Sequence, residues 1–145
     1  MKQLRCAAIQ FNIDLGNIDS NRKQVAAALR RVAAANVQLV VLPEMWSTGY
    51  AYDQMAELAE ETARVTELLA EWSALLDLVI VGSLPEKDGP HIYNTAFVHD
   101  RGREVGRYRK LHLFSPMQED RYLTAGDQML VADTSVGRLG VAICY

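Results

Sequence analysis

The sequence predicts an α/β fold with a mixed sheet, on three observations. Residues 4–11 (LRCAAIQF) and 37–42 (VQLVVL) are apolar runs separated by a segment with helical spacing. That strand–helix–strand order implies a parallel pair. Further along, two β runs at 92–99 and 104–108 flank Asp100-Arg101-Gly102-Arg103, a hairpin pattern that implies antiparallel pairing.

The elements follow in order. Residues 4–11 form a first buried strand, with Cys6 in the core. A polar loop at 12–19 contains Gly16. Ser20 is placed to cap a helix over 21–35, in which Val25, Ala28, Leu29 and Val32 recur at spacings of three and four. The strand at 37–42 ends at Pro43, and a loop over 44–52 contains Gly49. Asp53 is placed to cap a second helix over 54–76, whose Leu and Trp stripe faces the core. A third strand covers 77–83, and a turn over 85–90 is signalled by Asp88-Gly89. The hairpin follows, then a long irregular stretch over 110–127, a length typical of functional loops. Two last strands, 129–134 and 138–144, are joined across Ser135-Val136-Gly137.

Residues 1–145 read as one domain without repeats or linkers. With 15 Lys and Arg against 18 Asp and Glu, the net charge is −3. No block of like charge argues for nucleic acid or a membrane surface. No apolar run approaches the roughly 20 residues that span a bilayer. The N-terminus lacks the apolar stretch of a signal peptide, which favours a cytoplasmic setting. Cys6 and Cys144 are the two cysteines, and His91, His99 and His112 show no metal-ligand spacing.

Three polar residues stand at or near the carboxyl ends of strands, where ligand sites of open α/β sheets gather. Glu44 follows the second strand, Lys110 follows the hairpin, and Cys144 ends the last strand. A free thiol has a pKa of about 8.5 and needs a base or a cation to become a thiolate. Glu44 supplies the base if burial raises its pKa. Lys110 supplies the cation and a partner for an oxyanion. Such a set suits acyl transfer through a thioester.

Three strings carry a resemblance. Leu42-Pro43-Glu44, with Trp46 and Gly49-Tyr50 following, resembles the glutamate motif of the nitrilase superfamily of carbon–nitrogen hydrolases. Residues 108–114 (YRKLHLF) resemble its lysine motif, and 140–145 (GVAICY) its cysteine motif. Ala8-Ile9-Gln10, Gly82-Ser83 and Tyr93-Asn94-Thr95 add agreement, so the likeness extends over the whole chain.

The resemblance implies a four-layer α-β-β-α sandwich with mixed sheets, of which this chain is the N-terminal half, ending just after the cysteine. A chain so shortened exposes sheet edges and one apolar sheet face. It also implies a Glu-Lys-Cys triad acting on amides, carbamoyl compounds or nitriles, with no metal or organic cofactor. Glu44 is then the general base, Lys110 the oxyanion-stabilising cation and Cys144 the nucleophile. Glu119 matches a second glutamate, and the Tyr145 N–H completes the oxyanion hole. Phe114 and Tyr50, with Trp46, are pocket-lining candidates for which core packing is the alternative. His112 is expected to be a hydrogen-bonded structural residue. The strings at 44–50 and 113–122 resemble the ω-amidase-like branch, which implies a small aliphatic amide as substrate and ammonia as product. A homodimer is implied for the full-length enzyme.

Other readings stay open at this point. The same triad serves nitrile or carbamoyl hydrolysis, or acyl transfer to an amine. A non-catalytic binding or assembly module is a second class. A dinucleotide-binding half-domain is a third, but no G-x-G-x-x-G follows the first strand.

Overall fold

The computed structural model describes residues 3–144. Five strands form the main sheet in sequence order: β1 Cys6–Ala8, β2 Leu39–Val41, β3 Val79–Asp88, β4 His91–Asp100 and β5 Arg103–Arg109. β1, β2 and β3 run parallel, while β3, β4 and β5 are antiparallel neighbours, so the sheet is mixed. A separate antiparallel pair, β6 Leu130–Thr134 and β7 Gly137–Val141, forms a second sheet.

Helix α1, Ile18–Ala34, connects β1 to β2, and helix α3, Thr62–Leu76, leads into β3. Val25, Ala28 and Leu29 of α1 and Val65 and Leu69 of α3 meet Val40, Leu42, Ile80, Leu84 and Phe97 of the sheet. Each such aliphatic side chain stabilises the fold by about 1.5–3 kcal/mol on burial. The opposite face of the main sheet carries Val79 and Val98, which pack on Ala132 of β6. The described residues thus form three layers, α-β-β.

Several boundaries differ from the sequence reading, each for a local reason. α1 starts at Ile18, because Asn17 and not Ser20 is its cap: the Asn17 side chain accepts the Ser20 N–H at 3.0 Å. The helix expected over 54–76 is broken into a turn at Tyr52–Gln54, the short α2 Met55–Leu58, a turn at Ala59–Glu61, and α3. Met55 packs with Met45 and Leu123, whereas Val65 and Leu69 pack under the main sheet. One straight rod cannot serve both clusters. The Thr62 hydroxyl also donates to the Pro85 carbonyl, which ties the start of α3 to β3.

β3 runs through Pro85 to Asp88, where a turn was expected. Its neighbour β2 stops at Val41, opposite Val81, so beyond that point β3 has a side with no ladder partner and tolerates a proline. The turn is confined to Gly89-Pro90, and Asp88 pairs with His91. The hairpin between β4 and β5 matches its prediction, with Arg101 and Gly102 both at positive φ (49° and 80°).

Cys6 is exposed, not core. Cys6, Ala8 and Val41 lie on a part of the sheet that neither the helices nor β6–β7 cover, and Val41 is 44% exposed. Cys6, Ala8 and Val41 thus leave a small apolar patch of that face open. The stripe of α3 is not uniformly buried either, since Leu75 is 80% exposed.

Candidate active site

Glu44, Lys110 and Glu119 meet in one hydrogen-bonded cluster. Lys110 follows directly on β5, and its main-chain N–H donates to the Asn94 carbonyl at 2.9 Å. Its side chain is 1% exposed. The ammonium donates to Glu44 Oε1 at 2.8 Å and to Glu119 Oε1 and Oε2 at 2.8 and 2.7 Å. Burial by itself lowers a lysine pKa. Here the hydrogen bonds and charges of Glu119 and Glu44 outweigh it and hold Lys110 above the usual lysine value. The cation is therefore permanent at neutral pH.

Glu44 lies in a tight turn after β2. The next residue, Met45, has φ of 52°, a left-handed conformation rare outside glycine. The turn is pinned where the Met45 N–H donates to Ser83 Oγ at 2.8 Å and the Thr48 and Gly49 N–H groups donate to the Met45 carbonyl. The Asn94 side chain, fully buried on β4, donates to Glu44 Oε1 at 2.8 Å.

Glu119 lies in the one-turn helix α4, Glu119–Tyr122, and accepts the Phe114 N–H at 2.6 Å. The loop between Lys110 and Glu119 is thus closed on its own carboxylate.

Cys144 lies three residues beyond the end of β7 and has φ of 62°, so it is not the tip of a strand as expected. Its thiol is exposed. Cys144 and Glu44 line the same cavity of about 190 Å³, with Val41, Val81, Ser83 and Ala96. Larger surface hollows exist, such as one of about 720 Å³ between β1 and α1, but neither Glu44 nor Cys144 lines it.

The remaining expectations divide. Tyr50 packs beside Met45, Met55 and Leu123. Burial, followed by the nearby Glu44 and Glu119 carboxylates, pushes its phenol well above the ordinary tyrosine range. Neither Tyr50 nor Phe114 lines the Cys144 cavity. Phe114 is 43% exposed, and its contribution to the cluster is its main-chain N–H. Trp46 is fully buried in the main core. His112 is exposed and, among the described residues, its side chain makes no hydrogen bond, so it lacks the structural role expected of it. Tyr145 lies outside the described residues. Two residues of the site, Asn94 and Ser83, had no role assigned from sequence, although both stand in strings that carry the resemblance. Among the described residues, no group of three His, Cys, Asp or Glu side chains is placed to hold a metal ion.

A sequence model of the carbon-nitrogen hydrolase family matches residues 5–145. The chain belongs to that family. It is 34% identical over 157 residues to "Omega-amidase, chloroplastic" of Arabidopsis thaliana, covering 94% of this chain and 42% of that protein. It is 30% identical over 142 residues to "2-oxoglutaramate amidase" of Bacillus subtilis, covering 96% and 54%. The chain spans about half the length of these curated relatives. Among solved structures, Nit3 of Saccharomyces cerevisiae, described as a member of the nitrilase superfamily, superposes with a TM-score of 0.88 at 27% identity, over 98% of this chain and 55% of that one. The NitN amidase superposes with a TM-score of 0.90 at 26% identity, over 99% and 58%. This carbon-nitrogen hydrolase chain therefore has the α/β fold with mixed sheet of nitrilase-superfamily structures.

Proposed function

We propose that this chain carries the catalytic residues of an amidase that hydrolyses a small aliphatic amide and releases ammonia. The observation that carries the reading is the shared cavity: Glu44, held by Lys110 and Asn94, lines it together with Cys144. Relatives named as omega-amidase and 2-oxoglutaramate amidase support an ω-amide of a small dicarboxylate as the substrate class.

In this reading Glu44 takes the Cys144 proton, and the thiolate attacks the amide carbonyl carbon. The electron pair of the C=O bond moves to oxygen, and the oxyanion binds to the Lys110 ammonium and the Tyr145 N–H. Glu44 returns its proton to the leaving nitrogen, the C–N bond breaks, and ammonia departs. A thioester remains. Glu44 then deprotonates water, which adds to the thioester carbonyl. The thiolate leaves, recovers the proton from Glu44, and the carboxylic acid is released.

Lys110 has three N–H donors and faces three carboxylate oxygens. Oxyanion binding draws one donor away from the two-oxygen contact with Glu119, which keeps a single hydrogen bond. Glu119 in this reading compensates the lysine charge and sets its position.

The test is ammonia release from ω-amides such as succinamate by the full-length protein. Activity is lost in Cys144→Ala and kept in Cys6→Ala. Full activity in Cys144→Ala sinks the reading. Acyl transfer by the same triad is separated from hydrolysis by adding hydroxylamine and measuring hydroxamate against free acid.

A further inference from the structure

We infer that Asn94 is a positioning residue that commits one oxygen of Glu44 and leaves the other free to act as the base; this rests on the amidase reading above. Asn94 makes two contacts with the catalytic pair. Its side-chain amide donates to Glu44 Oε1 at 2.8 Å, and its main-chain carbonyl accepts the Lys110 N–H at 2.9 Å. One residue thus sets the separation of the base and the cation.

The pattern on the carboxylate is lopsided. Oε1 accepts from both Asn94 and Lys110. Oε2 accepts from neither Asn94 nor Lys110, and the Tyr50 hydroxyl is the further donor that faces this carboxylate. A carboxylate rotates about its last bond, and a lysine facing it alone is free to bridge both oxygens. The second donor on Oε1 prevents that and fixes which oxygen stays available to a thiol or a water.

The other end of Glu44 is fixed as well. Ser83 Oγ accepts the N–H of Met45 at 2.8 Å and holds its left-handed backbone. Ser83 pairs with Ala96 and Asn94 with Pro85 in the β3–β4 ladder, so the two anchors stand on one face of two adjacent strands. Asn94 is fully buried and its Oδ1 has no partner. A buried amide that forgoes one hydrogen bond is placed for the one that it keeps.

The chemistry of the variants follows. Asn94→Asp keeps the shape and replaces the donor by an acceptor that repels Glu44. Its activity recovers as pH falls, because a proton shared between two facing carboxylates restores a donor. Asn94→Ser shortens the reach and withdraws the donor without adding charge.

The experiment uses full-length protein, with folding of each variant checked by thermal unfolding. Iodoacetamide alkylation of Cys144 and of Cys6 is followed by peptide mass spectrometry from pH 5.5 to 8.5. Turnover of succinamate is measured in parallel. In the wild type, Cys144 reacts at least tenfold faster than Cys6. In both variants its rate falls about tenfold, Cys6 stays within twofold, and kcat falls 10–100-fold with KM within threefold. Only Asn94→Asp regains rate at the acid end. Cys144 reactivity and kcat within twofold of wild type in either folded variant overturn the inference, as does a change confined to KM. A wild type that releases no ammonia and shows no fast Cys144 overturns the amidase reading, and this inference with it. A normal wild type beside unaffected variants overturns this inference alone.

Discussion

Lys110 and Glu119 form an ion pair sealed from water, with side chains 1% and 2% exposed and Nζ within 2.8 Å of both carboxylate oxygens. A buried pair is weak evidence of stability, but removal of one partner leaves a desolvated charge. Glu119→Ala therefore costs about 3 kcal/mol. Glu119→Gln keeps an acceptor for the Phe114 N–H and costs less. Urea unfolding of the two variants measures the difference, and equal costs would refute the assignment.

Gly126 is the close-approach glycine of the site. A Cβ there would stand 2.5 Å from the Arg109 carbonyl oxygen, and the Gly126 N–H donates to the Lys110 carbonyl. Gly126→Ala must move backbone next to Lys110, at a cost of roughly 1–3 kcal/mol. At Gly140 an added Cβ meets nothing within 4 Å, so Gly140→Ala stays within about 0.5 kcal/mol of wild type. Thermal unfolding of the pair provides the comparison.

His99 is 1% exposed, and burial depresses its pKa to about 4, with Glu104 opposing and Arg107 adding to the shift. The unfolded chain keeps a value near 6.5. Between pH 6.5 and 4 the unfolded state binds the extra proton, so stability falls as pH falls and levels off below 4. The full change is on the order of 3 kcal/mol. Denaturation of wild type and His99→Leu at pH 7, 5.5 and 4.5 reads it out; parallel pH dependences contradict the burial argument.

Asp100 fastens the second sheet to the first. Its carboxylate accepts the Ser135 N–H at 2.6 Å and the Ser135 hydroxyl at 2.9 Å, in the turn between β6 and β7. Asp100→Ala costs about 1–3 kcal/mol. Hydrogen exchange in that variant speeds up in β6 and β7 first, while β3 and β4 stay protected.

The parallel start, the β4–β5 hairpin and the glutamate and lysine positions were legible because each rests on local pattern. Period, turn residues and motif strings are properties of short stretches. What was missed depends on distant partners. The break between α2 and α3 follows from two separate clusters competing for Met55 and Val65. Pro85 stays in a strand only because β2 is short. Cys6 is apolar in context yet exposed, because the cover of its sheet face is a tertiary matter. Asn94 and Ser83 have ordinary strand neighbours, and their contacts with Glu44 and Met45 cross 50 and 38 residues. No window of sequence contains both ends of such a contact.

The Glu44–Lys110 contact spans 66 residues, and that separation has a kinetic consequence. Closing it requires β2, the β3–β4 ladder and β5 all to be in register, so it is among the more entropically costly contacts to form. A folding intermediate that has only α1, β1 and β2 docked would hold much native helix and none of the ion cluster. By contact order the ion cluster of Glu44, Lys110 and Glu119 belongs with the long-range contacts that close only once the main sheet is in register.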